Sequence, residues 1–399
     1  MNRYDTIIIG AGISGLSLAH YCARAGLKTL VIEKNERTGG CFHSHRFGGD
    51  AAGFWLELGA HTCYNSYGNL IAIMEENRLL HRLVRREKVS FKMLVDSGIR
   101  SIPSQLNFME LLLSAPRLFT MGKSGESVAS YYSRVVGRRN YERVFAPALN
   151  AVLSQRADDF PAGMLFNKRP RRKEILKSFT LEGGLQTVTD AISHEPGVEV
   201  LTGTTVSAID FSDATYRIET AAGARFDTQN LALAVPPPEA ASLLSELHPE
   251  LAALLSRIKF ETIETVGVAL RKERVHLAPL AGIIAPSDIF YSAVSRDTVP
   301  HPTHRGFSFH FKAGRVGLAG KLERIAAVLG VERQELTDFV SRESLLPSPV
   351  VGHETLTGEI DRLCSGKALS LTGNYFLGLA IEDCVVRSRQ EFMRLTGRR

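Results

Sequence analysis

The sequence predicts an α/β protein. A parallel sheet is assembled from widely separated stretches of chain, and an α+β unit of antiparallel sheet and helices accompanies it. Three observations predict this. A β-branched run ending at Gly10 passes through a glycine turn into a helical stretch and then a second buried strand, Thr29–Glu33. Two more short apolar strands, Leu231–Val235 and Ala368–Leu371, lie far downstream, the first stopped by Pro236, Pro237 and Pro238. Between them, strands at 265–270, 282–285, 289–294 and 306–311 read as an antiparallel sheet with helices over it. Composition agrees: at 399 residues, 44% hydrophobic and 23% charged, the chain buries enough apolar surface to exclude disorder. The +6 net charge is spread out, and no nucleic-acid partner is expected. Cys22, Cys41, Cys63, Cys364 and Cys384 form no CxxC pair, so neither a disulfide framework nor structural zinc is expected, and a cytoplasmic location is. His301, His304 and His310 invite a metal reading, but the first two share a proline-bearing loop without acid or cysteine nearby, so no metal is expected. No apolar run approaches the ~20 residues of a membrane span. No basic stretch precedes the strand starting at Tyr4, so no secretory leader is expected.

The first strand enters Gly10-Ala-Gly12-Ile13-Ser14-Gly15, followed by helical spacing (Leu16, Ala19, His20, Ala23) closed by Gly26. Each glycine has a distinct task. Gly10 permits the sharp turn, Gly12 lets a pyrophosphate approach the backbone, and Gly15 lets helix and strand pack closely. The helix N-terminus offers amides and positive dipole to the phosphates. Glu33, 18 residues after Gly15, ends the second strand, where it accepts hydrogen bonds from an adenosine ribose. Strand, turn, helix, strand and acid together predict a Rossmann-type dinucleotide-binding unit.

The next residues, Glu33-Lys34-Asn-Glu-Arg37-Thr-Gly39-Gly40-Cys41, read E-x-x-x-R-x-G-G. This resembles the second dinucleotide-binding motif of the FAD-dependent amine oxidase superfamily. Gly59-Ala60-His61 resembles that family's approach to the flavin, most closely in its protoporphyrinogen-oxidase-like branch. At the C-terminal end, Gly373-Asn374, Gly378, Ala380-Ile381 and Asp383-Cys384 resemble the branch's closing motif. The resemblance implies FAD bound noncovalently, with the Gly-Gly backbone against its diphosphate, Gly59 and Gly378 close to the ring, and the strand at Val206 beside the adenine. One departure matters. Many members carry arginine directly after Gly-Gly, and Cys41 stands there, so the resemblance leaves Arg37 to serve.

The rest of the chain divides accordingly. Residues 1–85, 183–240 and 347–399 are expected to form the FAD-binding domain, and 86–182 and 241–346 the substrate domain. A hairpin is expected around Asp96-Ser97-Gly98, helices over 105–150, and two more helices at 320–329 and 333–342. The apolar stretch 108–121 and the basic cluster Lys168–Lys173 have the composition of a membrane-surface contact. A packed core and a solvated loop explain them more simply.

The resemblance implies an oxidoreductase in which the flavin carries the chemistry, taking a hydride from a substrate held over its face. No catalytic side chain is assigned; His61 and Lys312 are the residues nearest to such a role. The substrate is expected to be bulky and largely apolar. Phe91, Met93, Leu111, Phe119, Phe166, Phe290, Phe307 and Phe309 supply candidate lining, of which alternation lets about half face inward. The chain carries one GxGxxG, so no dedicated NAD(P)H site is expected, and the electron acceptor is oxygen, a quinone or another carrier. An amine oxidase, a carotenoid- or squalene-type desaturase and a redox-neutral mutase stand as alternatives.

Overall fold

The computed structural model describes residues 2–96 and 98–397. β1 (Asn2–Ile9) lies at the centre of a seven-stranded sheet. On one side it pairs in parallel with β2 (Thr29–Ile32), which pairs with Val198–Leu201. On the other it pairs in parallel with Arg225–Leu233, whose last residues also pair in parallel with Leu369–Leu371. The antiparallel strands Val206–Ser212 and Thr215–Thr220 extend that side. The strand expected at 231–235 begins earlier, at Arg225, and runs to Leu233. Both faces are covered, as a parallel sheet requires. Helix α1 (Ile13–Arg24) and the C-terminal helix Ile381–Thr396 pack together on one face, around Ile8, Leu16, Val31 and Val385. The helices Pro237–Leu244, Pro249–Leu255 and His353–Cys364 contribute to the core on the other.

A second seven-stranded sheet is built on the long strand Phe260–Arg271, flanked by His304–Lys312 and Asp338–Pro347, both antiparallel to it. The segment expected to be helical at 333–342 is thus a short 3-10 turn, Arg333–Glu335, followed by a ten-residue strand. Its alternating partial burial meets the hydrogen-bonding edge of Phe260–Arg271, and a long edge needing a partner outweighs local helix preference. The hairpin at 91–101 joins this sheet; its turn residue Ser97 lies outside the described residues.

Three of the expected lining residues, Phe290, Phe307 and Phe309, are instead packed between this sheet and the helix Leu318–Leu329, together with Phe311 and Ile325. They form the sheet's own core. Met93 is fully buried, whereas Phe119 and Phe166 are 88% and 60% exposed.

The apolar stretch at 108–121 also departs from expectation. It forms two short helices, Phe108–Ser114 and Arg117–Thr120, as part of the helical region expected over 105–150; Leu111 and Met121 pack against the core, but most of its apolar side chains do not. Phe108, Met109, Leu112, Leu113 and Leu118 are all more than half exposed. In the basic cluster, Arg169 pairs with buried Asp383, and Arg172 bridges Glu75 and Glu174. Those two residues are structural ties.

Candidate functional site: two glycine turns under a sheet face

β1 ends in Gly10, whose φ of +103° is unfavourable for any side chain; a Cβ there would lie 2.5 Å from the Ala234 carbonyl oxygen. A Cβ on Gly15 would lie 2.0 Å from the Gly10 oxygen. Gly12 differs. Its backbone is extended (φ −73°, ψ 176°), and an added Cβ meets nothing closer than the Gly40 Cα at 3.9 Å. The two outer glycines shape the turn, and the middle one leaves space in front of the α1 N-terminus, where Ile13 and Ser14 begin the helix.

Glu33 is 7% exposed. One carboxylate oxygen accepts the Ala11 N–H at 2.8 Å and the other accepts the Asn35 N–H at 3.0 Å. The neighbouring chain runs alongside: the Thr204 N–H donates to the Glu33 carbonyl at 2.9 Å, two residues before Val206. Lys34 faces away, its ammonium paired with Glu239 at 2.5 Å.

The second glycine turn lies against the first. The Gly39 N–H donates to the Ala11 carbonyl at 2.8 Å, and Gly12 and Gly39 form an isolated parallel bridge. Gly39 and Gly40 both have positive φ, +106° and +55°. Arg37 braces this turn from behind. It donates to the carbonyls of Thr38 (2.7 Å), Phe42 (3.1 Å) and Gly40 (2.9 Å), which leaves its guanidinium committed to backbone. Gly59 closes over the turn, since a Cβ there would meet the Cys41 oxygen at 2.3 Å, and the Ala60 N–H donates to that oxygen at 3.1 Å. His61 follows, its carbonyl held by Arg86 at 2.7 Å. Burial and the Arg86 charge push its imidazole down to about 4, so the ring is neutral at pH 7.

The closing motif reaches the same place. Ile381, Ile13 and Phe42 share one apolar cluster, and the Ser388 hydroxyl donates to the Ser14 carbonyl at 2.7 Å. Asp383 caps its own helix at Ala380 (3.2 Å), and at Gly378 (φ +149°) a Cβ would meet the Asp383 carboxylate at 2.6 Å. Glu382 caps the helix Gly68–Glu76 through the Asn69 and Leu70 amides. A Cβ on Gly373 would strike the Tyr375 ring, and Asn374 lies in the loop between.

The second sheet lies over these turns. The Ser308 hydroxyl donates to the Glu57 carbonyl at 2.6 Å, and a Cβ on Gly267 would meet Leu58 at 2.6 Å. One register further along, His310, Thr265 and Arg342 lie side by side on three adjacent strands and share a face. The Thr265 hydroxyl is 3.0 Å from His310 Nδ1. Burial and the nearby His61 push the His310 imidazole down to about 3. Arg342 donates to the Gly40 carbonyl at 2.8 Å. Lys312 is not brought here; its ammonium donates to the Asp288 carbonyl at 2.6 Å and lies over Tyr291.

Beside His61 is a cavity of about 20 Å³, room for about one water, lined by Trp55, Glu57, Arg86, Arg296 and Ser308 among others. Arg296 stacks on Trp55 with its Nε and Nη1 buried and without a partner among the described residues. Buried Glu57 accepts from the Leu185 N–H and the Ser44 hydroxyl, and desolvation pushes its carboxyl up to about 7. Sequence reasoning missed Glu57, Arg86, Thr265, Arg296, His310 and Arg342. The sheet register that gathers Thr265, His310 and Arg342 has no local signature.

FAD fits these residues. The space at Gly12 admits a diphosphate to backbone amides, Glu33 stands where a ribose would lie, and the buried Arg342 Nη1 has no partner among the described residues. A family model described as flavin containing amine oxidoreductase matches residues 13–277, well over half of the chain. Coproporphyrinogen III oxidase of Bacillus subtilis (strain 168) is 21% identical over 462 aligned positions, spanning 96% of this chain and 96% of that protein. The structure of a proposed protoporphyrinogen oxidase from Exiguobacterium sp. 255-15 superposes with a TM-score of 0.79 at 20% identity, over 100% of this chain and 99% of that one. Reduced UDP-galactopyranose mutase superposes with a TM-score of 0.73 at 16% identity, over 99% and 96%. Relatives matched only over short stretches are spanned over 9% to 25% of their own length. The chain belongs to the flavin containing amine oxidoreductase family and is an FAD-dependent oxidoreductase.

Proposed function

We propose that this enzyme oxidises a bulky, largely apolar ring compound carrying acidic substituents, a porphyrinogen-type substrate, rather than a small amine. The observation that carries this reading is the charge around His61. Arg86 and Arg296 both border the cavity, and Arg296 has two buried nitrogens without partners. The carboxylate there, Glu57, is already engaged by Leu185 and Ser44. Two guanidinium groups repel an ammonium and attract a carboxylate. The full-length similarity to a coproporphyrinogen III oxidase points the same way. The chemistry FAD supplies when bound is acceptance of a hydride from a C–H or N–H centre. This chain's residues hold the substrate and exclude water. His61 and His310, both neutral, lie near each other with uncharged rings, and Thr265 fixes the His310 ring through its hydroxyl.

The test is anaerobic mixing of the yellow enzyme with coproporphyrinogen, protoporphyrinogen, a primary amine and a polyene, with the visible flavin bands followed. Bleaching by a porphyrinogen and not by the amine is expected. Bleaching by the amine alone overturns the reading, and reduction by none of the four favours a redox-neutral mutase.

A second observation concerns location. Six large apolar side chains within residues 108–119 are more than half exposed. We propose that these two helices rest on a lipid surface, since a contiguous apolar patch of this kind marks a contact.

A further inference from the structure

The Gly39–Gly40 turn lies against Gly12 and would face a dianionic diphosphate, yet Arg37 spends three of its donors on the backbone carbonyls of Thr38, Gly40 and Phe42. Arg342 reaches the same turn from the second sheet. Its strand pairs with Phe260–Arg271, with Arg342 opposite Thr265 on the face turned toward the glycine turns. Nη2 donates to the Gly40 carbonyl at 2.8 Å, which fixes the fork over the turn. Nη1 is buried and has no partner among the described residues. A buried guanidinium nitrogen without an acceptor is costly, and an anionic oxygen is the acceptor its geometry suits.

We infer that Arg342 binds the FAD diphosphate, so that the cation serving the Gly-Gly turn comes from the second sheet and not from a residue on the turn itself. Cofactor binding then also fastens the two sheets together. Oxidation state does not enter, because the contact is to phosphate and not to the ring. The inference rests on the assignment of FAD as the cofactor.

The experiment removes FAD from the purified enzyme and titrates the apoprotein calorimetrically with FAD and, separately, with ADP, which carries the diphosphate without the ring. In Arg342→Gln, both dissociation constants are expected to rise by about tenfold or more, the loss of one charge-assisted hydrogen bond. In Arg342→Lys, which keeps a point charge but loses the fork, both are expected to rise less. Unchanged affinities in Arg342→Gln overturn the inference. Weaker FAD with unchanged ADP also overturns it, because the guanidinium then serves the ring. If Arg342→Gln does not fold, Arg342→Lys decides by the same comparison. A wild-type apoprotein that binds neither ligand strikes at the cofactor assignment itself.

Discussion

Glycines that look alike in the sequence carry different burdens, and the spaces around them tell which. A side chain at Gly10 or Gly15 collides with backbone at 2.5 Å or less, so substitution there damages the fold. A side chain at Gly12 points into open space in front of α1, so substitution there damages cofactor binding alone. Gly12→Ala is therefore expected to leave the apoprotein melting temperature within a few degrees of wild type while FAD affinity falls at least tenfold. Calorimetry of the apoprotein and FAD titration check the two halves separately. An equal loss of stability and affinity would show that the glycine shapes the turn. The glycine chemistry was legible because it depends on spacing over a few residues. The task of Arg37 was not: a sequence shows that a guanidinium is near the turn but not that three carbonyls behind it claim its donors. Thr265, His310 and Arg342 were invisible for a different reason, because only the pairing of three strands distant in sequence sets them side by side.

At the scale of elements, periodicity read the first sheet well, since each of its parallel strands is a short apolar run flanked by turn chemistry. It failed where tertiary pairing decides. Asp338–Pro347 has no strong strand signal, yet it makes ten successive pairings with Phe260–Ala269. The 108–120 helices show the converse: the apolar pattern was plain, but nothing in it says whether protein covers it. With Leu113 at 75% and Phe119 at 88% exposure, burying these side chains in a lipid interface is worth roughly 1.5–3 kcal/mol each. The protein is expected to sediment with phospholipid vesicles, and Leu113→Asp with Phe119→Asp to abolish sedimentation without altering the flavin spectrum. Equal sedimentation of the double variant would remove the lipid contact from consideration.

At the scale of the whole molecule, the strand Trp55–Glu57 forms a seam that meets both the second sheet, through Ser308, and the helix Gln186–Ser193, through Leu185. Glu57 sits in that seam, 7% exposed, with Arg296 and Arg86 near enough to temper its desolvation without cancelling it. Its carboxyl rises from an ordinary value near 4.5 to about 7 in the folded protein. The sign follows from linkage. A group that holds its proton more tightly when folded stabilises the fold fully below the unfolded value, and that contribution fades as pH rises through the folded one. Between about pH 4.5 and 7 the protein therefore loses stability from this site, on the order of 3 kcal/mol at 1.36 kcal/mol per unit. Glu57→Gln keeps an acceptor for the Leu185 amide and has nothing to titrate. Other acids, the half-buried Asp190 and the buried Glu382 and Asp383, also carry raised values, so the measurement is the difference between variant and wild type. The melting temperature of Glu57→Gln, measured from pH 5 to 7.5, is expected to gain steadily on that of wild type as pH rises. A constant difference across that range would mean that the Glu57 carboxyl is ionised throughout, its charge held by Arg296 and Arg86 across the seam.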